Sequence, residues 1–236
     1  SNISIKNKGV RDNKNINILV CQNCELLFLQ DFKHINNSFY KKSKMHGEVL
    51  LSIDEWMKET YNDDLRRVEN FKNNIINNDI LDFGCGSGGF MILAKEFAKS
   101  VTGIELEERV IKHWSNDLNI FQHIEEVKKN YDLITLFHVL EHVPDPISLL
   151  LKLKKYLKPS GKIIIEVPNS DDALLSLYDL DAFKKHTYWS QHLFLYNSKN
   201  LKMIIEKAEF NSIVIEQFQR YPLSNHLYWL NKNKPG

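Results

Sequence analysis

The feature that most constrains this chain of 236 residues is a glycine-rich turn between an apolar strand and a helix. The stretch ILDFGCGSGGF covers residues 80–90 and places Asp82, Gly84, Gly86 and Gly88 at alternate positions. Glycines at such a turn let the backbone bend sharply and approach a ligand closely, because they carry no Cβ. A second acid, Glu105, ends the next apolar strand, where a carboxylate can accept hydrogen bonds from ribose hydroxyls. The pattern predicts a nucleoside-binding turn rather than a turn that needs glycine for geometry alone.

From residue 79 onward, short apolar strands alternate with amphipathic helices. The predicted strands are DILDFG, VTGIEL, NIFQHI, YDLITLFHV, KIIIEVP, NSIVIEQF and HLYWLNKN. The predicted helices cover residues 88–100, 107–118, 146–159 and 198–210. Strands that alternate with helices in this way predict an α/β fold with a doubly wound, seven-strand, mostly parallel sheet of the Rossmann-like type.

The chain divides by pattern into three segments. Residues 1–40 form a polar N-terminal segment, in which Cys21 and Cys24 have the spacing of half a zinc knuckle. Because the sequence contains no second pair, we interpret this motif as vestigial or truncated. Residues 41–78 are predicted to form a helical cap, and residues 79–236 the ligand-binding domain. The apolar residues at helical spacing in the cap are Leu50, Ile53, Trp56 and Met57.

The charge and cysteine content argue against nucleic-acid-binding, membrane and disulfide-rich secreted proteins. Thirty-one basic and thirty acidic residues give a net charge of +1, which offers no electrostatic reason to expect a nucleic-acid or membrane partner. Three cysteines are too few for a disulfide framework and favour a reducing compartment. The sequence shows no apolar run near 18 residues and no signal-peptide pattern at its start. We therefore expect a cytoplasmic protein with a small-molecule partner.

The glycine turn reads D-x-G-x-G-x-G rather than the G-x-G-x-x-G of dinucleotide sites. It resembles motif I of the class I S-adenosylmethionine-dependent methyltransferases. The resemblance covers about residues 79–220 and continues in order through VTGIELEE, YDLITLFHVLEHVPDP, GKIIIEVPN and SQHLFLYNSKNLKMIIEKAEF. It implies S-adenosylmethionine as the cofactor and S-adenosylhomocysteine as the product.

The same resemblance implies which residues contact the cofactor. The acid and glycines of the turn contact the methionine part and the ribose, and the acid after the second strand binds the ribose. His123 and Ile124 are expected near the adenine, and Phe137 and His138 near the methionine portion. The implied cofactor contacts are Asp82, Gly84, Gly86, Glu105, Leu106, His123, Ile124, Phe137 and His138.

The stretch FHVLEHVPDP, residues 137–146, follows the fourth predicted strand of the sheet. His138, Glu141 and His142 stand at positions i, i+3 and i+4, which share a face in a helical turn. Three interpretations remain open. The residues pack and hydrogen-bond structurally, or a histidine such as His142, His192 or His138 acts as a catalytic base, or the group binds a divalent metal.

The metal interpretation comes from a second resemblance. The stretch is similar to the E-x-x-E-H segment of small-RNA 2′-O-methyltransferases and ubiquinone-pathway O-methyltransferases. The small-RNA enzymes add a later histidine, for which His192 in SQHLFLYN stands at a comparable place. This chain departs from the pattern with His138 at the first ligand position. The implied ligands are His138, Glu141, His142 and His192, a set that suits manganese, iron or zinc more than calcium.

Between the fifth strand and the next helix lies an aromatic stretch, KKHTYWSQHLF, that contains His186 and His192. In methyltransferases of this class, that stretch commonly covers the acceptor pocket. The resemblance to small-molecule and glycan-tailoring O-methyltransferases implies O-methylation of a sugar, a nucleotide-sugar or a phosphorylated capsule or cell-envelope precursor, as in polysaccharide biosynthesis. The alternatives are an N-methyltransferase of an amino sugar or other small molecule, a non-catalytic S-adenosylmethionine-binding module and, more distantly, a dinucleotide-dependent oxidoreductase.

Overall fold

A computed structural model describes residues 2–35 and 50–236. The chain divides into two compact units, each built from separate stretches of sequence. One unit comprises Ser1–His34, Glu141–Leu151 and Val167–Gly236, and the other comprises Ile35–Leu140 and Lys152–Glu166. Residues 41–49 of the predicted helical cap lie outside the described part of the chain. The predicted boundaries at residues 40 and 78 stay predictions.

The second unit contains a parallel sheet of five strands. Its strand order is β6-β5-β4-β7-β8, and every neighbouring pair is parallel. The chain builds outward from β4 to β6 and then returns to β7 beside β4, so the order reverses between β4 and β7. Ligands of open α/β sheets bind at the carboxyl ends of the strands at such a switch point. The strands are β4 (Asp79–Phe83), β5 (Ser100–Ile104), β6 (Asn119–Phe121), β7 (Tyr131–Phe137) and β8 (Leu157–Glu166).

Apolar runs form the centre of this sheet because parallel strands are covered on both faces. Ile80 and Leu81 on β4, and Ile134 and Leu136 on β7, are completely buried. The helices and 3₁₀ turns of the unit are α1 (Ile53–Asn70), α2 (Lys72–Ile75), α3 (Gly89–Ala94), α4 (Glu108–His113) and a 3₁₀ turn (Ile124–Glu126). A second 3₁₀ turn (Leu140–His142) and α5 (Pro146–Lys154) follow β7 in the chain.

Helix α1 begins at a capping box, which explains why the predicted cap region is helical from residue 53. The Ser52 hydroxyl accepts the Glu55 N–H, and the Glu55 carboxylate accepts the Ser52 N–H at 2.9 Å. The helix packs against α3, the helix that follows the glycine turn. Residues 53–70 form a helix, and the helical cap as a segment of residues 41–78 stays a prediction.

The first unit contains a four-stranded antiparallel sheet in the order β1-β2-β3-β9. The sequence pattern does not predict strands in the polar N-terminal segment, where two short apolar runs at residues 18–20 and 26–29 supply β2 and β3. Leu27 and Phe28 of β3 pair with Leu195 and Phe194 of β9, which joins the N-terminus to a distant part of the chain. The strands are β1 (Ile3–Asn7), β2 (Ile18–Cys21), β3 (Leu27–Leu29) and β9 (Phe194–Leu195). The helices are α6 (Ala173–Ser176), α7 (Asp181–Thr187), α8 (Ser198–Lys207) and α9 (Leu223–Lys232).

The predicted α/β class is confirmed, whereas the predicted count of seven sheet strands is too high. In the described chain, the parallel sheet has five strands. NSIVIEQF, residues 211–218, is not part of a ladder, and HLYWLNKN, residues 226–233, lies mostly within helix α9. The prediction of a strand for HLYWLNKN was wrong. Trp229 is buried against Phe183 with their ring centroids 5.2 Å apart, so packing against a distant residue, rather than local periodicity, selects the helix here. No helix of the described chain has the length and apolar character needed to cross a bilayer.

Candidate functional site

The glycine turn follows β4 at the carboxyl edge of the parallel sheet. Gly84 and Gly86 have φ values of +75° and +53°, in the left-handed region that glycine adopts without strain. A Cβ on Gly84 would lie 2.6 Å from a methyl carbon of Val139, and a Cβ on Gly86 would lie 3.2 Å from the ring of Trp56. Both positions therefore require glycine, for conformation and for space.

Glu105 joins the end of β5 to the glycine turn. Its carboxylate accepts the N–H of Gly86 at 2.9 Å, that of Leu106 at 2.7 Å and that of Glu107 at 3.0 Å. Burial raises the pKa of Glu105, and these N–H groups partly offset the rise. The carboxylate is thus fixed beside the turn, with acceptor capacity left for hydroxyl groups of a ligand.

Asp82 lies near the end of β4 and is 2% exposed. Its carboxyl group accepts a hydrogen bond of 2.7 Å from the Thr135 hydroxyl on the neighbouring β7. Burial raises the pKa of Asp82 from its ordinary value of 3.8 to about 7. A cationic ligand beside this group would favour its ionised form, so Asp82 can recognise an ammonium.

At the end of β7, His138 adopts a left-handed backbone conformation with φ of +55°. Its N–H donates to the carbonyl of Glu166 at 2.8 Å, and its Nε2 lies 3.3 Å from the Glu166 carboxylate. Phe137, the last residue of β7, packs edge-on against Phe90 of α3 at 4.9 Å between ring centroids. His138 is therefore positioned at the sheet edge by its contacts with Glu166, the last residue of the adjacent strand β8.

Two arginines of α1 also bind the Glu166 carboxylate. Arg66 donates two hydrogen bonds of 3.0 and 2.9 Å to the Glu166 carboxylate, and Arg67 donates at 2.8 and 3.2 Å. Burial alone would raise the pKa of Glu166, but the hydrogen bonds from His138 and both arginines outweigh it and hold the pKa well below its ordinary range. The Arg67 guanidinium also lies 4.6 Å from the centre of the Phe137 ring.

In the unit that contains the antiparallel sheet, Glu141, His142 and His192 bring one ligand atom each within 4.8 Å of the others. We call these three residues the histidine group. Glu141 is fully buried, and the two imidazole rings lie 5.2 Å apart. Among the described residues no other set of three potential metal ligands is this compact. His138, which the sequence suggested as a fourth ligand, is not a member of the group and pairs with Glu166.

Backbone carbonyls orient both histidines of this group. Nδ1 of His142 bonds to the carbonyl of Gln191 at 2.8 Å, and Nδ1 of His192 bonds to the carbonyl of Thr187 at 2.9 Å. A carbonyl only accepts, so the proton of each neutral ring is on Nδ1 and the lone pair is on Nε2. This is the arrangement that metal-ligating histidines adopt, and it also suits a general base.

The remaining predicted residues lie outside these clusters. His123 is exposed and caps the 3₁₀ turn that begins at Ile124, with its N–H donating to Glu126 at 2.7 Å. The rings of His186 and Trp229 lie 5.5 Å apart between centroids. Burial lowers the pKa of His186, and the positive charges of Arg11 and Arg220 lower it further. Both cysteines of the predicted half knuckle lie at the β2–β3 turn and are free thiols.

Sequence reasoning had missed the group formed by Arg66, Arg67 and Glu166. One signal for it was present, because Glu166 is an acid directly after the apolar residues 163–165, at the carboxyl end of strand β8. The two arginines gave no such signal, since adjacent charges on a helix usually indicate a solvated face. Trp56, predicted only as an apolar position of the cap, lies against the glycine turn.

Comparison with known proteins gives a family match over residues 53–215, with the description "Methyltransferase domain". The ubiquinone biosynthesis O-methyltransferase of Hydrogenovibrio crunogenus is 36% identical over 110 residues, which cover 40% of this chain and 44% of that protein. The tRNA U34 carboxymethyltransferase of Nautilia profundicola is 30% identical over 154 residues, which cover 59% of this chain and 50% of that protein. The chain thus spans about half the length of the curated relatives it matches.

Solved structures share the fold. A methyltransferase from Archaeoglobus fulgidus, described as SAM dependent, superposes with a TM-score of 0.56 at 23% identity, covering 73% of this chain and 76% of that chain. The plantazolicin methyltransferase BpumL, in complex with a monoazolic desmethylPZN analog and SAH, gives a TM-score of 0.53 at 23% identity, covering 71% of this chain and 70% of that chain. At this level of identity the likeness is one of fold. The family match covers well over half of the chain, and the chain therefore belongs to the methyltransferase domain family, as the glycine turn and its acidic partner predicted.

Proposed function

We propose that the chain is an S-adenosylmethionine-dependent methyltransferase whose cofactor binds at the carboxyl edge of the parallel sheet. The observation that supports this most strongly is the fixed Glu105 carboxylate beside Gly86, at the switch point of the sheet. Glu105 accepts the ribose hydroxyls, Gly84 and Gly86 allow close backbone approach, and Asp82 faces the ammonium of the methionine part. Leu106, His123 and Ile124 are proposed around the adenine side, and Phe137 and His138 at the methionine side.

Methyl transfer from a sulfonium is an in-line displacement, to which the protein contributes chiefly by positioning both reactants. A hydroxyl or ammonium acceptor must also lose a proton. In the histidine group, Nε2 of His142 or His192 carries a lone pair that can take it. Glu141 and His142 follow His138, the residue proposed to contact the methionine part, by three and four positions in the chain. We assign the proton-accepting step to this group.

The histidine group also fits a divalent ion such as manganese or iron. Two Nε2 atoms and one buried carboxylate are the donor types that these ions take, and both rings are oriented through Nδ1 by carbonyls. When bound, the ion would polarise and acidify an acceptor hydroxyl. Its ligands would be Glu141, His142 and His192. In this proposal His138 is not a metal ligand and contacts the Glu166 carboxylate instead.

The acceptor is proposed to be a small molecule that is methylated on oxygen. The balanced net charge of +1 supports a small acceptor over a polyanion. Sugars, nucleotide-sugars and phosphorylated envelope precursors are the first acceptors to test, and amino sugars would test N-methylation. The tRNA-modifying relative makes tRNA a necessary further arm of the screen.

Titration calorimetry with S-adenosylhomocysteine tests the cofactor assignment. We expect binding to the native chain and a loss of at least tenfold in affinity in Asp82→Ala. The proposal is wrong if the native chain shows no binding and the substitution changes nothing. Binding without turnover on any acceptor would favour the non-catalytic module, and binding of a dinucleotide instead would favour an oxidoreductase.

Release of S-adenosylhomocysteine, measured across the acceptor panel with and without a chelator, tests the histidine group. We expect His142→Asn to abolish turnover and His226→Asn, a change in helix α9, to leave it intact. Loss of turnover with chelator and its return with Mn²⁺ would support the metal. If chelator has no effect on turnover, the metal proposal is wrong and the histidine group acts as a general base without a metal.

A further inference from the structure

The loop that carries His192 is attached to the N-terminal segment by an unusual set of hydrogen bonds centred on Ser190. The Asp12 carboxylate accepts the Ser190 N–H at 3.0 Å and the Ser190 hydroxyl at 2.6 Å. The Nε2 of His34 donates to the Ser190 carbonyl at 2.6 Å. All three polar groups of Ser190 thus bond to residues more than 150 positions away in the chain. Ser190 is 7% exposed, so water competes little for these bonds.

The neighbouring residues of this loop are held from the same segment. The backbone N–H of Arg11 donates to the carbonyl of Tyr188 at 3.0 Å, and its guanidinium donates to the carbonyl of His186 at 3.3 Å. The same guanidinium stacks 4.2 Å over the ring of Trp189, and Trp189 packs edge-on against the ring of His192 at 5.8 Å. Arg11 and Asp12 therefore contact four of the five residues from 186 to 190, namely His186, Tyr188, Trp189 and Ser190.

This loop supplies the two carbonyls that orient the histidine group. The Thr187 carbonyl accepts from Nδ1 of His192, and the Gln191 carbonyl accepts from Nδ1 of His142. The Ser190 carbonyl belongs to the peptide group that joins Ser190 to Gln191. His34 and Asp12 hold the carbonyl, the N–H and the hydroxyl of Ser190, so the peptide group directly before Gln191 is held in place and restricts where the Gln191 carbonyl can lie.

We propose that Asp12 is a positioning residue for the histidine group, acting through Ser190 on the carbonyls that set the tautomers of His142 and His192. This inference rests on the proposed function, since it assigns a role to the same group. Asp12 touches neither an acceptor nor the reacting atoms. A carboxylate is required at position 12 because it can accept from the N–H and the hydroxyl of Ser190 simultaneously, as one oxygen serves each donor.

The test measures the tautomer directly. Protein labelled with ¹⁵N-histidine is examined by long-range ¹H–¹⁵N correlation at alkaline pH, where imidazoles are neutral and protonated and unprotonated ring nitrogens have well-separated shifts. His142→Asn and His192→Asn assign the two signals among the nine histidines. In the native chain we expect both rings in the Nδ1–H form. In Asp12→Ala we expect His142, whose partner carbonyl belongs to the residue directly after Ser190, and His192 to become mixtures of tautomers.

Matched variants separate this role from general stability. Asp12→Asn keeps one oxygen for the Ser190 N–H and is expected to restore most of the Nδ1–H form. Asp31→Ala removes a carboxylate of the same segment that accepts the local N–H of Lys33 at 3.2 Å and, among the described residues, no bond from the loop around Ser190; it should leave both tautomers unchanged. If Asp12→Ala does not fold, Ser190→Ala, which removes only the hydroxyl bond, is judged by the same measurement.

The inference is overturned if Asp12→Ala, or Ser190→Ala in its place, is folded and retains the native tautomers of His142 and His192. Binding of S-adenosylhomocysteine to the native chain, measured by calorimetry, distinguishes this outcome from failure of the proposed function. A native chain that binds the cofactor product while Asp12→Ala leaves the tautomers unchanged refutes the positioning role alone. A native chain that does not bind it refutes the proposed function whatever the tautomers show.

Discussion

Replacing Asp82 by asparagine should change how the stability of the protein depends on pH. The carboxyl group is buried, and its pKa is raised from 3.8 to about 7. A carboxyl group of this kind binds a proton more tightly in the folded than in the unfolded chain, so its contribution to stability falls as the pH rises from about 4 to about 7. Asparagine does not titrate and keeps an oxygen for the Thr135 hydroxyl. The substituted protein should therefore gain stability relative to the native protein as the pH rises.

The magnitude follows from the two pKa values. A rise from 3.8 to about 7 corresponds to about 4 kcal/mol of unfolding free energy at pH 8, of which about 3 kcal/mol develops between pH 5 and pH 8. Unfolding in urea at these two pH values, for both proteins, measures the change. Comparing pH dependences removes any pH-independent effect of the amide, because that effect is the same at both values.

Asp79, at the opposite end of the same strand, provides the control. Hydrogen bonds from Lys158 and Ser100 hold its pKa below the ordinary range, so the group is ionised in both the folded and the unfolded chain between pH 5 and pH 8. Asp79→Asn should lower stability by the same amount at both pH values. The reasoning is refuted if Asp82→Asn shows the same pH dependence as the native protein. It is also refuted if the unfolding free energy of Asp79→Asn changes with pH, relative to the native protein, as expected for Asp82→Asn.

Three further substitutions test other parts of the sheet edge. Gly84→Ala should lower the free energy of unfolding in urea by about 1–3 kcal/mol, because a Cβ there would lie 2.6 Å from Val139 in a left-handed backbone conformation. Glu105→Gln should weaken S-adenosylhomocysteine binding about 10–100-fold by calorimetry, since an amide has one acceptor oxygen where the carboxylate has two; an unchanged affinity would exclude Glu105 from the ribose site. Arg67→Met should lower the thermal unfolding free energy by about 3 kcal/mol, because it removes two of the hydrogen bonds to the partly buried Glu166 carboxylate, and a change within experimental error would show that Arg66 alone suffices.

Local sequence patterns predicted much of the sheet-edge site. Glycine at positions 84 and 86, and an acid at the end of the next strand, can be identified from spacing because each is required by the backbone where it stands. The histidine group could be predicted only in part. Spacing placed Glu141 and His142 on one helical turn, and a resemblance added His192, but the same reasoning included His138. That residue bonds instead to Glu166, which lies on the adjacent strand 28 positions later.

The amino-acid sequence by itself determined the strand–helix alternation and the glycine turn, because these depend on side-chain periodicity and on backbone conformations that only certain residues adopt. The family followed from the resemblance of its motifs. The tertiary structure alone decided the antiparallel sheet at the N-terminus, the helix at residues 223–232 and the partners of each titratable group. Asp12 and Ser190 illustrate the reason, since they are 178 positions apart and hydrogen-bond directly. A hydrogen bond between such distant residues leaves no pattern in the chain around either one, and it exists only because strand pairing between β3 and β9 brings the two segments into one unit.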